Sequence, residues 1–382
     1  MSRTIYADNA ATTQIRPEVL EIVNDAYKYY GNPSSLHSLG RKAKSLIEES
    51  RESILNTLHS KNGKLYFTSG GTESNNLAIK GFALANNDKG NHIITSAIEH
   101  PSVMQTAKYL QNNGYEVTYL NVDKDGVVDL DQLCDSIRSD TILISIMWAN
   151  NEIGTIQPIF NIGDIAKKHN ICFHTDAVQV IESNIIDVDS CGIDMLSFSA
   201  HKFYGPKGIG GLYVSKNAKI NPQIHGGKQE FMVRPGTENL PCILGVSKAL
   251  ELASEDNNYI SERLIDMRDN FIEQVSLKIL DSKLNGHREK RLPGNANFSF
   301  AGIDGEALLL LLNSEGICVS SGSACSSGSP NSSYVIKAIG VDDELAHGTI
   351  RFSFGRYNTA NEIDYIVTTL VELVDKLRWL RS

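Results

Sequence analysis

Through the middle of the chain, short runs rich in β-branched and aromatic residues alternate with stretches whose apolar positions recur every three to four residues. The runs fall at 64–68, 92–95, 115–120, 141–147, 171–174 and 194–199 and read as strands; the stretches at 73–85, 102–112, 130–136 and 159–169 read as helices. Strands alternating with helices predict an α/β fold on a mostly parallel sheet, whose ligands bind beyond the carboxyl ends of the strands. From about Asp256 the rhythm changes to a long helical segment, a short run at 297–300 and a helix opened by Gly305 and Glu306. A last helix follows. Its start matches a capping box at Thr359 and Glu362, and Ile363, Ile366, Val367, Leu370, Val374 and Leu377 make one apolar stripe. The pattern predicts a large domain over 12–255 and a smaller α+β domain over 256–382, joined by the N-terminal segment 1–11.

A chain of 382 residues is long enough for such a division. The balance of 41% hydrophobic and 21% charged residues is that of a folded globular protein, and the formal net charge of −9 argues against a nucleic-acid surface. The N-terminus has no apolar signal core and the leucine run 308–312 is too short to span a bilayer, so a cytoplasmic protein without a membrane partner is expected. Six cysteines carry neither C-x-x-C pairs nor zinc-ligand spacing, so no metal is expected. Cys134, Cys172 and Cys318 sit in apolar patterns that predict small core residues. Cys325 differs, lying in a serine-glycine patch over 320–329 with little apolar surface around it.

Asp176 and Lys202 each follow a short apolar run. A lysine beyond a strand end can form an imine with an aldehyde cofactor, and a carboxylate in the same crevice can keep a pyridine nitrogen protonated. Taken alone, the pair is better read as a helix N-cap and a solvated lysine. The run Thr68-Ser69-Gly70-Gly71-Thr72-Glu73 is either a tight βα turn or a phosphate cradle at a helix N-terminus, and Ser199, His201 and Thr237 offer further donors. Neither a dinucleotide fingerprint nor a Walker loop is present, which favours a phosphorylated aldehyde over a nucleotide.

Asp176-Ala177-Val178-Gln179, Ser199-Ala200-His201-Lys202 and Ser321-Gly322-Ser323-Ala324-Cys325 resemble, in order and spacing, the motifs of cysteine desulfurases of the NifS/IscS type. The likeness runs from Tyr6 to Ser353, although Gly71 stands where many relatives carry alanine. It implies a fold type I enzyme in which Lys202 holds pyridoxal 5'-phosphate as a Schiff base. By the same resemblance Asp176 meets the pyridine nitrogen, Gln179 the ring hydroxyl, and His100 stacks on the ring and moves protons. Gly71, Thr72, Ser199 and His201 would bind the phosphate, with Thr237 reaching in from the second subunit of a homodimer. Asn151 and Arg351 would grip the carboxylate of L-cysteine. Without the motifs, His100 reads as a satisfied loop histidine and Arg351 as a surface charge.

An accessible thiolate at Cys325 would accept the substrate's sulfur as a persulfide, leaving alanine, and pass it to an iron–sulfur scaffold protein or a tRNA-thiolation relay. Selenocysteine lyase is the rival within the family, and a non-catalytic sulfur-carrier or scaffold-binding subunit the rival outside it. The joint presence of Lys202, Asp176 and Cys325 favours the desulfurase.

Overall fold

In the computed structural model, which describes residues 4–321 and 333–381, alternate residues of each central strand point to opposite faces of one sheet. The strands in chain order are β1 (Ile5–Tyr6), β2 (Gly63–Thr68), β3 (His92–Ser96), β4 (Glu116–Leu120), β5 (Thr141–Ser145), β6 (Cys172–Asp176), β7 (Met195–Ser199) and β8 (Gly210–Ser215). These are followed by β9 (Ser282–Asn285), β10 (Asn295–Phe300), β11 (Ile317–Cys318), β12 (Ser320–Ser321) and β13 (Thr349–Ser353). Seven of them form the main sheet in the order β2-β8-β7-β6-β5-β3-β4. All its pairings are parallel except those of β8, which runs antiparallel to both β2 and β7.

Period two decides which side each residue serves. Leu65, Ile94, Ile144 and Tyr213 join one core, while their neighbours Tyr66, Ile93, Leu143 and Leu212 join another. On the second face lie helices Gly71–Ala85 and Pro101–Gln111, through Leu77, Phe82 and Leu110. Helices Ser38–Thr57, Ile159–His169 and the first half of Leu240–Lys278 cover the first, through Ile47, Ile162 and Val246. β3, β5 and β7 are buried along their whole length, as strands of a two-sided parallel sheet must be.

The smaller sheet, β12-β13-β10-β9, is antiparallel and shares a third core with helices Gly305–Ser314 and Ala360–Arg381 and the second half of Leu240–Lys278. The stripe from Ile363 to Val374 is buried in that core, Leu377 packs at its margin, and the backbone N–H of Thr359 donates to the Glu362 carboxylate at 3.0 Å, one half of a capping box. β1 pairs in parallel with β11, and Ile5 and Ala7 enter the same core.

One helix start and three cysteines differ from expectation. The long helix begins at Leu240 rather than near Asp256, because Asn239 caps it through the backbone N–H of Cys242 and Pro241 occupies its first turn, where a missing N–H costs nothing. Polar residues such as Asp256, Asn257 and Asn258 mark its passage from one core to the next, not its start. Cys134 is exposed, since its six-residue helix turns only Leu133 inward, while Cys172 and Cys318 are half-buried rather than core residues. Among the described residues no helix is long and apolar enough to cross a membrane.

Phe271 is the keystone of the third core, with its ring 4.7 Å from Phe352, 5.3 Å from Phe354 and 6.1 Å from Phe298. Phe271→Ala is expected to destabilise this unit by about 3–5 kcal/mol, seen as a lower urea midpoint for the fluorescence change of the C-terminal half. A midpoint equal to that of the unsubstituted protein would show that the rings carry no such weight.

Candidate active site

The carboxyl ends of β2, β3, β5, β6 and β7 converge on one edge of the main sheet, and a cavity of about 320 Å³ opens there. Ten of the residues singled out in the sequence line it. Gly71 and Thr72 begin the helix after β2, His100 follows β3, Asn151 follows β5, Asp176 ends β6 with Gln179 three residues on, and Ser199, His201 and Lys202 follow one another out of β7. Arg351 reaches the same cavity from β13 of the smaller sheet. Thr237 lies in the loop after Gly236 and does not line this cavity; Cys325 falls outside the described residues.

Lys202 stands at the end of a short 3-10 turn, and its Nζ donates to the carbonyl oxygens of Ala10 and Ala11 at 2.6 and 2.7 Å. Asp176 is buried. Its Oδ1 accepts from the Val178 backbone N–H at 3.0 Å and its Oδ2 from Nδ2 of Asn75 at 2.7 Å. The same amide also donates to Ser102 Oγ, which contacts Nδ1 of His100 at 2.7 Å. Because the Ser102 backbone N–H donates to that Nδ1, the neutral imidazole carries its proton on Nε2. Burial, chiefly, and the charge of Lys202 hold the His100 pKa below its ordinary value, against the pull of Asp176.

Gly70 and Gly71 bring the helix N-terminus against β7. Gly70 has φ +149°, and a Cβ on Gly71 would lie 2.8 Å from Cγ2 of Val178, so an alanine there requires that valine to shift. Among the described residues no side chain caps this helix end, and its first residues, Gly71 and Thr72, line the cavity together with Ser199 and His201. Arg351 is almost fully buried. Its two terminal nitrogens donate to the Asn151 carbonyl and to Asp8, both at 2.8 Å, while Nε, also buried, has no partner among the described residues. An orphaned guanidinium donor is costly unless a ligand's acceptor completes it.

Several residues of this site were missed in the sequence. Asn75 was legible: it lies three residues after Thr72 on one helix face. The carbonyls of Ala10 and Ala11 carry no side-chain signal at all. Glu99, wholly buried, accepts from Ser96 Oγ and the Met147 backbone N–H, and so locks the end of β3 to the end of β5; burial pushes its pKa up to about 8. Glu230 pairs with Arg51 at 2.8 Å in the interior, in a turn where Glu230, Phe231 and Met232 all have positive φ. The turn leads to Arg234, which bonds Glu73 in the first turn of the Gly71–Ala85 helix. A second, larger cavity of about 930 Å³ opens at the amino edge of the sheet, by Cys172 and Asp194, away from these groups.

A search among known proteins finds the class-V aminotransferase family model matching residues 5–366. The chain belongs to the class-V aminotransferase family. It is 52% identical, over 99% of its length and 96% of the relative's, to a protein of Dictyoglomus turgidum named cysteine desulfurase IscS. Among solved structures, a NifS-like protein superposes with a TM-score of 0.91 at 38% identity, covering 98% of this chain and all of that one. A structure described as SspA in complex with cysteine superposes with a TM-score of 0.81, also at 38% identity, over 93% of this chain and all of that one. The expected NifS/IscS kinship and fold type I architecture are borne out.

Burial first, then the charges of Lys202 and Lys207, depress the His201 pKa to about 4. The neutral ring's contribution to stability is therefore complete above about pH 6.5, the unfolded value, and is lost as the pH falls through about 4. In the ligand-free protein, imidazole NMR shifts of His201 are expected to titrate near the lower value; a midpoint between about 6 and 7 would mean a solvated ring.

Proposed function

We propose that the protein is a cysteine desulfurase that carries pyridoxal 5'-phosphate on Lys202 and moves the sulfur of L-cysteine to Cys325 as a persulfide. The observation that carries this reading is the convergence in one cavity of the Lys202 amine, the buried Asp176 carboxylate and the Arg351 guanidinium with its orphaned Nε.

The donor set suits the cofactor. Asp176, fixed by Asn75 and the Val178 N–H, offers a carboxylate to a protonated ring nitrogen. The helix N-terminus at Gly71 and Thr72, with Ser199 and the neutral His201, would cradle the phosphate group. Gln179, whose Nε2 donates to the Ala10 carbonyl at 3.0 Å, would meet the ring hydroxyl. When bound, pyridoxal phosphate supplies an electron sink for the α-carbon of an amino acid joined to it.

This chain's own groups do the rest. Arg351 and Asn151 orient the substrate carboxylate, and the amine of Lys202 and Nε2 of His100 hold and move protons at the reacting carbon atoms. The Cys325 thiolate attacks the substrate sulfur. A sulfur–sulfur bond forms as the carbon–sulfur bond breaks, the electron pair of the latter passes to the β-carbon, which takes up a proton, and cysteine plus thiol become alanine plus persulfide. Cysteine, rather than selenocysteine, is supported as the substrate by the name of the Dictyoglomus relative and by the cysteine complex of SspA. The acceptor of the persulfide is an iron–sulfur scaffold or another sulfur-carrying protein.

The active form is a homodimer in which Thr237 completes the phosphate cradle of the partner. Support comes from its position outside its own cavity, on a loop whose Phe231 and Met232 stand exposed to solvent.

Lys202→Ala is expected to abolish the visible absorption of the covalently held cofactor while the far-ultraviolet circular dichroism stays unchanged; undiminished absorption would refute the attachment site. Cys325→Ser should keep that absorption and still change colour on addition of cysteine, yet form no persulfide and little alanine. Alanine production at the unsubstituted rate would remove Cys325 from the reaction.

A further inference from the structure

Both ends of the chain segment that carries Cys325 are fastened to walls of the cavity. Upstream, Ser320 and Ser321 pair antiparallel with Arg351 and Ile350, in the strand that bears the substrate-gripping guanidinium. Downstream, Ser333 Oγ donates to Oε2 of Glu152 at 2.5 Å, and the Tyr334 hydroxyl donates to the carbonyl of Glu99. Glu152 and Tyr334 both line the cavity.

Glu152 has no part in the chemistry set out above, and its placement is costly. It is 3% exposed. Burial pushes its pKa up to about 7, against the hydrogen bond from Ser333 and the charge of Arg351. An ionisable group withdrawn from water to receive a serine hydroxyl loses more than that bond returns, so stability alone does not account for it.

Its main chain is pinned from both sheets. The Glu152 N–H donates to Oδ1 of Asn150 at 2.8 Å, and its carbonyl accepts from Nδ2 of Asn295 and of Asn297 at 3.2 and 3.1 Å. Asn150 in turn donates to the Ile98 carbonyl at 2.8 Å. In the same turn the carbonyl of Asn151 holds Arg351. One rigid turn thus references both the arginine that receives the substrate carboxylate and the serine that follows the thiol segment.

We propose that Glu152 is a positioning residue for sulfur transfer: its bond to Ser333 ties the chain that follows the Cys325 segment to the turn that also fixes Arg351. The inference rests on the desulfurase reading. It predicts that loss of the Glu152–Ser333 bond harms the transfer step and spares the binding of cofactor and cysteine.

The test is a single-turnover experiment with the cofactor-loaded protein and cysteine, following two signals. One is the rate of the cofactor's spectral change on mixing; the other is the rate at which persulfide on Cys325 can be trapped by alkylation and counted by mass spectrometry. Glu152→Ala is expected to slow persulfide formation by about ten- to a hundredfold, the cost of a misplaced reacting group, with the spectral change unaffected. Glu152→Gln, which retains an acceptor for Ser333, should recover most of the loss. Ser333→Ala, which also removes the cap that Ser333 Oγ provides for the Val335 N–H at 3.1 Å, should show at least the same split, and the double variant should be no slower than Ser333→Ala alone, because the Glu152–Ser333 bond is already lost there. Should Glu152→Ala fail to fold, Ser333→Ala and Glu152→Gln still decide the matter.

Wild-type transfer in both alanine variants, losses that multiply in the double variant, or an equal slowing of the spectral change would each overturn the proposal. A wild-type protein that changes colour with cysteine but forms no persulfide on Cys325 would instead overturn the desulfurase reading, and the positioning role with it.

Discussion

The hold of the Ala10 and Ala11 carbonyls on the Lys202 ammonium is the contact on which the site depends. A lysine beyond the end of a buried strand needs acceptors, and here they come from a different part of the chain. The same segment reaches outward in both directions. Asn9 and Ala10 bond Ser353 of the smaller sheet, Thr13 bonds the carbonyl of His201 and the N–H of Tyr204, and Arg16 pairs with Asp256 on the long helix. The N-terminal segment is therefore a strap across the cavity, joining the sheet that supplies Lys202 and Asp176 to the sheet that supplies Arg351.

Around that strap the cavity is built from opposed charges kept apart by neutral amides. Asn75 links the Asp176 carboxylate to Ser102 and thereby to His100, which fixes the imidazole's tautomer without placing a second charge beside the ring. Arg351 is balanced on one side by Asp8 and held on the other by a carbonyl, and its buried Nε is left without a partner among the described residues. Glu99 and Glu152 complete the wall as carboxyl groups whose burial raises their pKa values, to about 8 and about 7. Each binds a serine hydroxyl rather than a cation in these contacts, which ties the wall together without an ion pair.

The sheet topology explains why so many of these groups meet. In a two-sided parallel sheet every strand end on one edge opens into a loop, and helix packing on both faces leaves that edge as the accessible crevice. The antiparallel β8 does not interrupt this, because reversing one strand between β2 and β7 leaves both of those pointing their carboxyl ends to the same edge. The glycine turn after β2 is thereby delivered beside Ser199.

Periodicity by itself determined the alternating elements from Gly63 to Ser199, the last helix with its stripe, and the strand-end positions of Asp176 and Lys202, because each of these depends on local side-chain spacing. The ordered motifs likewise determined the family. What local spacing does not encode was decided only in three dimensions. β8, a glycine-led strand, takes its place from its neighbours' hydrogen bonds, and the helix from Leu240 runs through a polar stretch because two separate cores bury its halves. The carbonyls that hold Lys202, the partners of Arg351 and the bond between Glu152 and Ser333 join residues more than 150 positions apart. Backbone acceptors carry no side-chain signature, and a glutamate reads as surface until the fold closes around it.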